Sequence, residues 1–213
     1  MKLINELRVE AIVLAAGLST RMGSDKMALR FCGQTVLNRT LIEALKSWLG
    51  RIVIVTRPGL DVDMTMQFSC FLNHDVTITR VLNFWPEEGM SLSIRLGLTQ
   101  LGVKARAAMI ILADQIFLNT LTINKLISES LENSDKIIVP TILKRRTTPV
   151  IFPESFFDEL RKISGDKGGK EILARNPNMI HTVELGKAYN DIDIDTPEDY
   201  SKIVSKLNHF DRV

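Results

Sequence analysis

The sequence predicts an α/β fold: a mostly parallel sheet with helices on both faces. Two observations carry that prediction. Short unbroken apolar runs recur at 11–14, 51–56 and 107–112, too short for helices and suited to buried strands. Segments with apolar residues at helical spacing alternate with them, and that alternation means a parallel sheet covered on both sides. In such sheets ligands sit beyond the C-terminal ends of the strands. The segments 15–26, 83–93, 114–115 and 193–195 each lie at or just past a predicted strand end, so they converge on one site.

The first strand, 11–14, ends in Ala15, Ala16 and Gly17, small residues that let the backbone approach a ligand. Gly17 is free to adopt dihedrals that other residues avoid. Ser19, Thr20, Arg21, Gly23, Ser24 and Lys26 follow, so the loop offers N–H groups, hydroxyls and two cations to a polyphosphate. Neither the Walker A pattern nor G-x-G-x-x-G is present. An isolated Ala-Ala-Gly would be an ordinary turn; Arg21, Gly23 and Lys26 behind it favour a nucleotide site. A helix is predicted at 35–49, with Leu37, Leu41 and Leu45 at helical spacing and Gly50 as its stop. The run at 51–56 is a buried strand, 61–72 reads weakly as a helix, and 76–82 is a third strand. A helix at 89–101 places Ile94, Leu98 and Leu101 on one face, and the strand 107–112 follows. The helix at 120–131 is predicted to turn Leu121, Leu126, Ile127 and Leu131 inward. Strands at 136–140 and 149–152, a helix at 154–163, a strand at 191–194 and a helix at 197–207 complete the chain. Pro197 suits the first turn of that last helix.

At 213 residues the chain is long enough for a full core, and one domain spanning 1–213 is expected. A hydrophobic content of 45% and a charged content of 24% are ordinary for a globular protein. The net charge of +2 provides no strong field for a nucleic acid or a membrane surface, so neither is an expected partner. Cys32 and Cys70 have no metal-like spacing and suggest a reducing compartment. The first ten residues lack the apolar core of a signal peptide, and no apolar run approaches a membrane span; the expected location is the cytoplasm.

Asp114 directly follows a buried strand, where a carboxylate is well placed to hold a divalent cation that bridges phosphates. The helix at 120–131 begins too late for Asp114 to cap it. Asn83 and the run Gly89-Met90-Ser91-Leu92-Ser93 offer amide and hydroxyl groups, with Ser91 expected to cap a helix. Asp191, Asp193 and Asp195 share one face of an extended segment. Asp193 is favoured as a second metal ligand because Asp195 lies nearer the helix start; Asp191 stays open. Thr196 is a candidate helix cap. His74, His181 and His209 are scattered, and no Ser-His or Cys-His nucleophile arrangement is evident. Trp48, Met27 and Met90 are expected to pack.

Leu14–Lys26, LAAGLSTRMGSDK, closely resembles the signature loop of the nucleotidyltransferases that act on the molybdenum cofactor. The LAAG form is similar to the cytidylyltransferase branch, and an LAGG form to the guanylyltransferase branch. The segment 193–199 resembles the family's closing Asp-Ile-Asp-Thr-Pro-Glu-Asp, and 165–170 its Gly-Asp-x-Gly-x-Arg. The resemblance covers about residues 9 to 204 in motif order. It implies a Rossmann-like, GT-A-like nucleotidyltransferase fold, CTP as donor, Mg²⁺ as cofactor and molybdopterin as acceptor. It also makes a recipient molybdoenzyme a candidate partner. On this reading Leu14, Ala15, Ala16, Gly17, Asn83, Gly89, Ser91 and Ser93 bind the nucleotide. Arg21 neutralises its β- and γ-phosphates and Lys26 its α-phosphate; both are catalytic, as is Asp114. Asp114 and Asp193 hold the metal. Thr148, Asp166 and Lys170 face the acceptor. Four departures stand out: Ile116 for a family Pro, Leu92 for a Ser, Lys170 for an Arg, and Thr147-Thr148 where the family has Gly-His or Gly-Gly. The last stiffens a loop on the acceptor side. It keeps open a transferase for a sugar or alcohol phosphate, and a non-catalytic cofactor carrier is the rival of another class.

Overall fold

The computed structural model describes residues 8–19, 22–23, 25–31, 33–60, 76–186, 189 and 196–201. In chain order the strands are β1 (Arg8–Ala15), β2 (Arg30–Phe31), β3 (Gln34–Thr35), β4 (Arg51–Thr56), β5 (Thr77–Leu82), β6 (Ala105–Leu112), β7 (Ile137–Ile142), β8 (Arg145–Arg146), β9 (Val150–Pro153) and β10 (Ile180–Glu184). The α-helices are α1 (Val36–Leu45), α2 (Met90–Leu98), α3 (Thr120–Glu132), α4 (Phe157–Leu160) and α5 (Lys170–Arg175). The main sheet runs β10-β7-β9-β6-β1-β4-β5, with β8 paired to β7. β1 lies parallel to β4 and β6, β4 to β5, and β7 to β10. β9 is antiparallel to both β6 and β7, and β8 to β7, so the sheet is mostly parallel with β9 reversed inside it and β8 reversed beside β7.

The period-two geometry of β1 sorts the core into two layers. Ala11, Val13 and Ala15 face α1 and α3, where Leu37, Leu41, Ile123 and Leu126 join Ile54, Met109 and Ile111. Ile12 and Ala16 face the other layer, with Ile94, Leu98, Leu160 and Ile172 from α2, α4 and α5. α2 sits close on β1: a Cβ at Gly97 would lie 2.3 Å from Ile12 Cγ2. Two helices start where short polar side chains replace missing intrahelical acceptors. Thr35 Oγ1 accepts from Asn38 N at 3.1 Å, and Asn119 Oδ1 from Thr122 N at 2.9 Å. The segment 196–201 opens with Thr196 Oγ1 accepting from Asp199 N at 3.1 Å, while the Asp199 carboxylate accepts from Thr196 N at 3.0 Å. That reciprocal capping box agrees with the sequence reading of Thr196 and Pro197.

Several expectations are corrected. α1 stops at Leu45, because Ser47 Oγ donates to Ala44 O at 2.6 Å and turns the chain before Gly50. Leu121 is 81% exposed; Leu126 and Ile127 face inward as expected, and Ile123 joins them in place of Leu121. Trp48 is also exposed, at 48%. The helix predicted at 154–163 is a 3-10 turn, Glu154–Phe156, followed by the single turn of α4. β10, α5, β8 and the small hairpin of β2 and β3 were not predicted. The expected helix at 61–72 and strand at 191–194, with the helix remainder at 202–207, lie outside the described residues. Among the described residues no helix is long and apolar enough to cross a membrane.

Candidate active site

β1 ends at Ala15, and the chain then folds back on itself. Ser19 takes a positive φ of 52° and its carbonyl accepts from Met22 N at 2.9 Å. Ser19 Oγ accepts from Lys26 N at 3.3 Å. Asp25 caps the following 3-10 turn by accepting from Met27 N at 3.1 Å, and it pairs with Arg57 at 2.5 Å. These bonds set the position of Lys26. Among the described residues of the loop, the left-handed turns fall on Ser19 and Gly23, not on Gly17 as the sequence suggested. A Cβ at Gly17 would meet nothing within 4 Å, so the glycine leaves open space rather than answering a backbone demand.

β6 delivers Asp114 beside this loop. Ala113 N donates to Leu14 O at 3.1 Å, and Thr40 Oγ1 donates to Ala113 O at 2.9 Å, so the strand end is fixed from both sides. The Asp114 carboxylate forms an ion pair with Lys26 Nζ. One of its oxygens is thereby engaged, and no other described residue bonds to the second. Ile116, where the family has Pro, is fully buried against Met22 and Val36 and so anchors the loop after β1.

The opposite wall is the start of α2, and its construction differs from the prediction. The N-cap is Gly89, which accepts no side-chain role, and Ser91 lies inside the helix as a fully buried residue whose hydroxyl has no partner among the described residues. The cap comes from elsewhere in the chain. Asp166 accepts from Met90 N at 3.2 Å, and Gly165 O accepts from Ser91 N at 3.1 Å. A carboxylate at a helix N-terminus is favourable for the helix dipole. The approach is so close that a Cβ at Gly89, where φ is 88°, would sit 2.7 Å from Gly165 C. Asp166, read from the sequence as an acceptor contact, is therefore at least the clamp that docks the 165–170 loop on α2.

Between these walls lies a cavity of about 670 Å³. Of the sequence-predicted residues, Leu14, Ala16, Gly17, Lys26, Gly89, Ser93, Asp114, Asp166 and Lys170 line it. Ala15 does not; its side chain is buried in the core on the α1 side of the sheet. Asn83 is fully buried behind the wall, where Nδ2 donates to Ser93 Oγ at 3.0 Å and Oδ1 accepts from Trp85 N at 2.9 Å. It shapes the 83–89 turn. Arg21 and Asp193, with Asp191 and Asp195, lie outside the described residues. Leu18, Pro86, Glu87 and Glu88 also line the cavity; they fall within the segments 15–26 and 83–93 to which the strand-end rule pointed, although the sequence singled out none of the four.

A smaller chamber of about 300 Å³ adjoins the cavity and shares Met90, Leu112 and Lys170 with it. Thr147 and Thr148 line this chamber, not the main one. The Thr148–Pro149 bond is cis, and Thr148 O accepts from Gln115 Nε2 at 3.3 Å, which ties the loop to the end of β6. The described lining of the main cavity carries four carboxylates, Glu87, Glu88, Asp114 and Asp166, against Lys26 and Lys170. Such a cavity admits a polyphosphate best when additional cations accompany it. Among the described residues no group of three or more His, Cys, Asp or Glu forms a closed metal cage. Asp114 thus fits a hard cation that takes one or two carboxylates and completes its shell with phosphate oxygens and water.

Residues 11–180 match the model of the MobA-like NTP transferase domain. The purine catabolism protein PucB of Bacillus subtilis (strain 168) is 27% identical over 205 residues, covering 90% of this chain and 94% of that protein. Among solved structures, Rv0371c of Mycobacterium tuberculosis H37Rv aligns with a TM-score of 0.77 at 21% identity, over 93% of this chain and 98% of that one. Its complex with manganese aligns with a TM-score of 0.73 at 19% identity, over the same 93% and 98%. The 4-diphosphocytidyl-2C-methyl-D-erythritol synthase of Anaerococcus prevotii DSM 20548 aligns at 0.72 and 17% identity, over 98% and 99%. These likenesses establish a shared nucleotidyltransferase fold.

Proposed function

The chain belongs to the MobA-like NTP transferase family, and from that premise we propose that it transfers CMP from CTP to the phosphate of molybdopterin and releases pyrophosphate. The observation that carries the proposal is the Lys26–Asp114 pair at the ends of β1 and β6, facing the start of α2 across a cavity of nucleotide size. The LAAG loop supports CTP, and so does the cytidylyl product in the name of the Anaerococcus synthase. On this reading residues 1–213 form one nucleotidyltransferase domain acting in the cytoplasm, and a recipient molybdoenzyme takes the product.

The reaction joins two anions, so positioning and electrostatics carry it rather than a protein nucleophile. Lys26, held by Asp114, faces the α-phosphate. Arg21 neutralises the β- and γ-phosphates as charge grows on the departing pyrophosphate. Lys170, which lines both chambers, meets the attacking phosphate oxygen at their junction. Asp114 and Asp193 would hold Mg²⁺. Bound there, it would supply positive charge against that of the leaving pyrophosphate. Manganese in the mycobacterial complex supports a divalent ion on this fold.

Pyrophosphate release with each of the four NTPs, with and without molybdenum cofactor, tests the proposal. Release that requires both CTP and the cofactor is the expected result. Release with CTP and a simple sugar or alcohol phosphate in place of the cofactor would move the protein to the rival transferase reading. Tight cofactor binding with no release under any NTP would make it a carrier.

A further inference from the structure

A residue at the end of β4 reaches the loop that carries Lys26. β4 lies beside β1 with Thr56 level with Ala15, so Arg57 leaves the sheet next to the chain that follows β1. Its guanidinium pairs with one carboxylate oxygen of Asp25 at 2.5 Å, and the other oxygen accepts from Met27 N at 3.1 Å. The two oxygens have separate tasks: one caps the 3-10 turn Lys26–Ala28, and the other meets Arg57. Lys26, the next residue in the chain, pairs with Asp114 at the end of β6. Four charges of alternating sign therefore run from the end of β4, through the loop after β1, to the end of β6: Arg57, Asp25, Lys26 and Asp114. The Arg57 and Asp25 side chains are only 20% and 27% exposed, so water screens their pair incompletely.

Asp25 adjoins Lys26 in the chain and carries the same charge as Asp114. A carboxylate so near attracts the ammonium unless its own charge is already matched. The guanidinium matches it, and does so with a rigid, always charged fork. Without Arg57, Asp25 would compete with Asp114 for Lys26. Resting on the nucleotidyl-transfer reading, we propose that Arg57 is a positioning residue: by occupying Asp25 it keeps Lys26 turned to Asp114 and the α-phosphate. Arg57 is not part of the described cavity lining, so it acts through its neighbours. Its effect falls mainly on the transition state. Lys26 meets charge that develops at the α-phosphate, whereas binding of the resting nucleotide is spread over the whole cavity.

A double-mutant cycle of Arg57→Gln and Asp25→Asn tests the proposal, with kcat and the CTP KM measured separately and each fold checked by circular dichroism. Asn keeps an acceptor for Met27 N and removes the charge, which separates the cap from the ion pair. Arg57→Gln should lower kcat about tenfold and change the CTP KM by less than about twofold. Adding Asp25→Asn should return kcat to within about threefold of the native value, because no rival carboxylate remains. Arg57→Lys, which keeps the charge, should lose no more than about threefold. Arg57→Met takes the place of Arg57→Gln if that variant does not fold. A second readout does not depend on turnover: the side-chain ammonium NMR signal of Lys26 in protein made with isotope-labelled lysine, assigned by its loss in Lys26→Met. That signal should move in Arg57→Gln and return in the double variant. A kcat loss that Asp25→Asn does not relieve, a raised CTP KM at constant kcat, or a Lys26 signal that stays in place overturns the positioning role. The expected NMR changes in a protein whose native form releases no pyrophosphate would overturn the transfer reading and leave the control of Lys26 by Arg57 standing.

Discussion

On the proposed reading, Gly17 is selected by a ligand rather than by the backbone. Its φ is ordinary and its surroundings are empty, so Gly17→Ala should fold as the native chain does. The added methyl would enter the space left for the nucleotide. We expect the CTP KM to rise about tenfold with the melting temperature unchanged within a degree or so; a lower melting temperature with an unchanged KM would return Gly17 to a structural role. Asp114 carries a stronger expectation. Asp114→Asn keeps the side-chain shape and removes the charge that Lys26 pairs with. It should lower kcat by about 10² to 10³, the loss typical of one preorganised electrostatic partner. Near-native turnover at low Mg²⁺ would show that the carboxylate is not a ligand. At this scale the sequence displayed identities more clearly than orientations. Asp114 and Lys26 were legible because strand ends and loop cations follow simple rules. Ala15 and Asn83 looked equally suited to the nucleotide, yet one side chain faces the core and the other is consumed in a turn.

At the element scale, Gly97 lets α2 lie against β1, and that packing places Gly89–Ser93 along the cavity. Gly97→Ala would force its methyl onto Ile12 and should destabilise the fold by about 1–3 kcal/mol, measured by urea unfolding. A neutral result would mean that α2 can move away from β1 at little cost. The hairpin bearing Arg145 and Arg146 depends on Glu184. Its carboxyl is held below the usual glutamate range by the Thr141 hydroxyl first and then by the Leu143 amide; slight burial opposes them, and the Lys144 and Gly186 amides add to them. A carboxylate whose folded pKa is depressed contributes stability above its unfolded pKa of about 4.3, and loses it as the pH falls through the folded value. Thermal melts from pH 7 to pH 3 should therefore show Glu184→Gln less stable than the native chain at pH 7, with the difference closing below about pH 4.3. A gap that stays constant across that range would contradict this role. β10 was hidden from sequence reading because an edge strand with one buried residue in five shows no clear period. The β7–β8 turn was hidden because Leu143 and Lys144, rather than Gly or Asn, occupy its left-handed positions.

For the whole molecule, the central strands were legible because β1, β4 and β6 are buried on both faces and read as continuous apolar runs. The docking of the 165–170 loop on α2 was not, because it rests on the close approach of Gly89 to Gly165 across 76 residues of chain. That contact joins the two chambers: Asp166 belongs to the wall of the main cavity through α2, and Lys170, four residues on, lines both. The proposed reaction asks its scaffold for two adjoining spaces, one for each reactant, and the two chambers that share Met90, Leu112 and Lys170 supply them. The most direct measurement follows the phosphorus. With molybdenum cofactor present, CTP labelled at the α-phosphorus should pass its label to the cofactor, and CTP labelled at the γ-phosphorus should yield labelled pyrophosphate. Label from the γ position on the cofactor, or none from either, would contradict nucleotidyl transfer at this site.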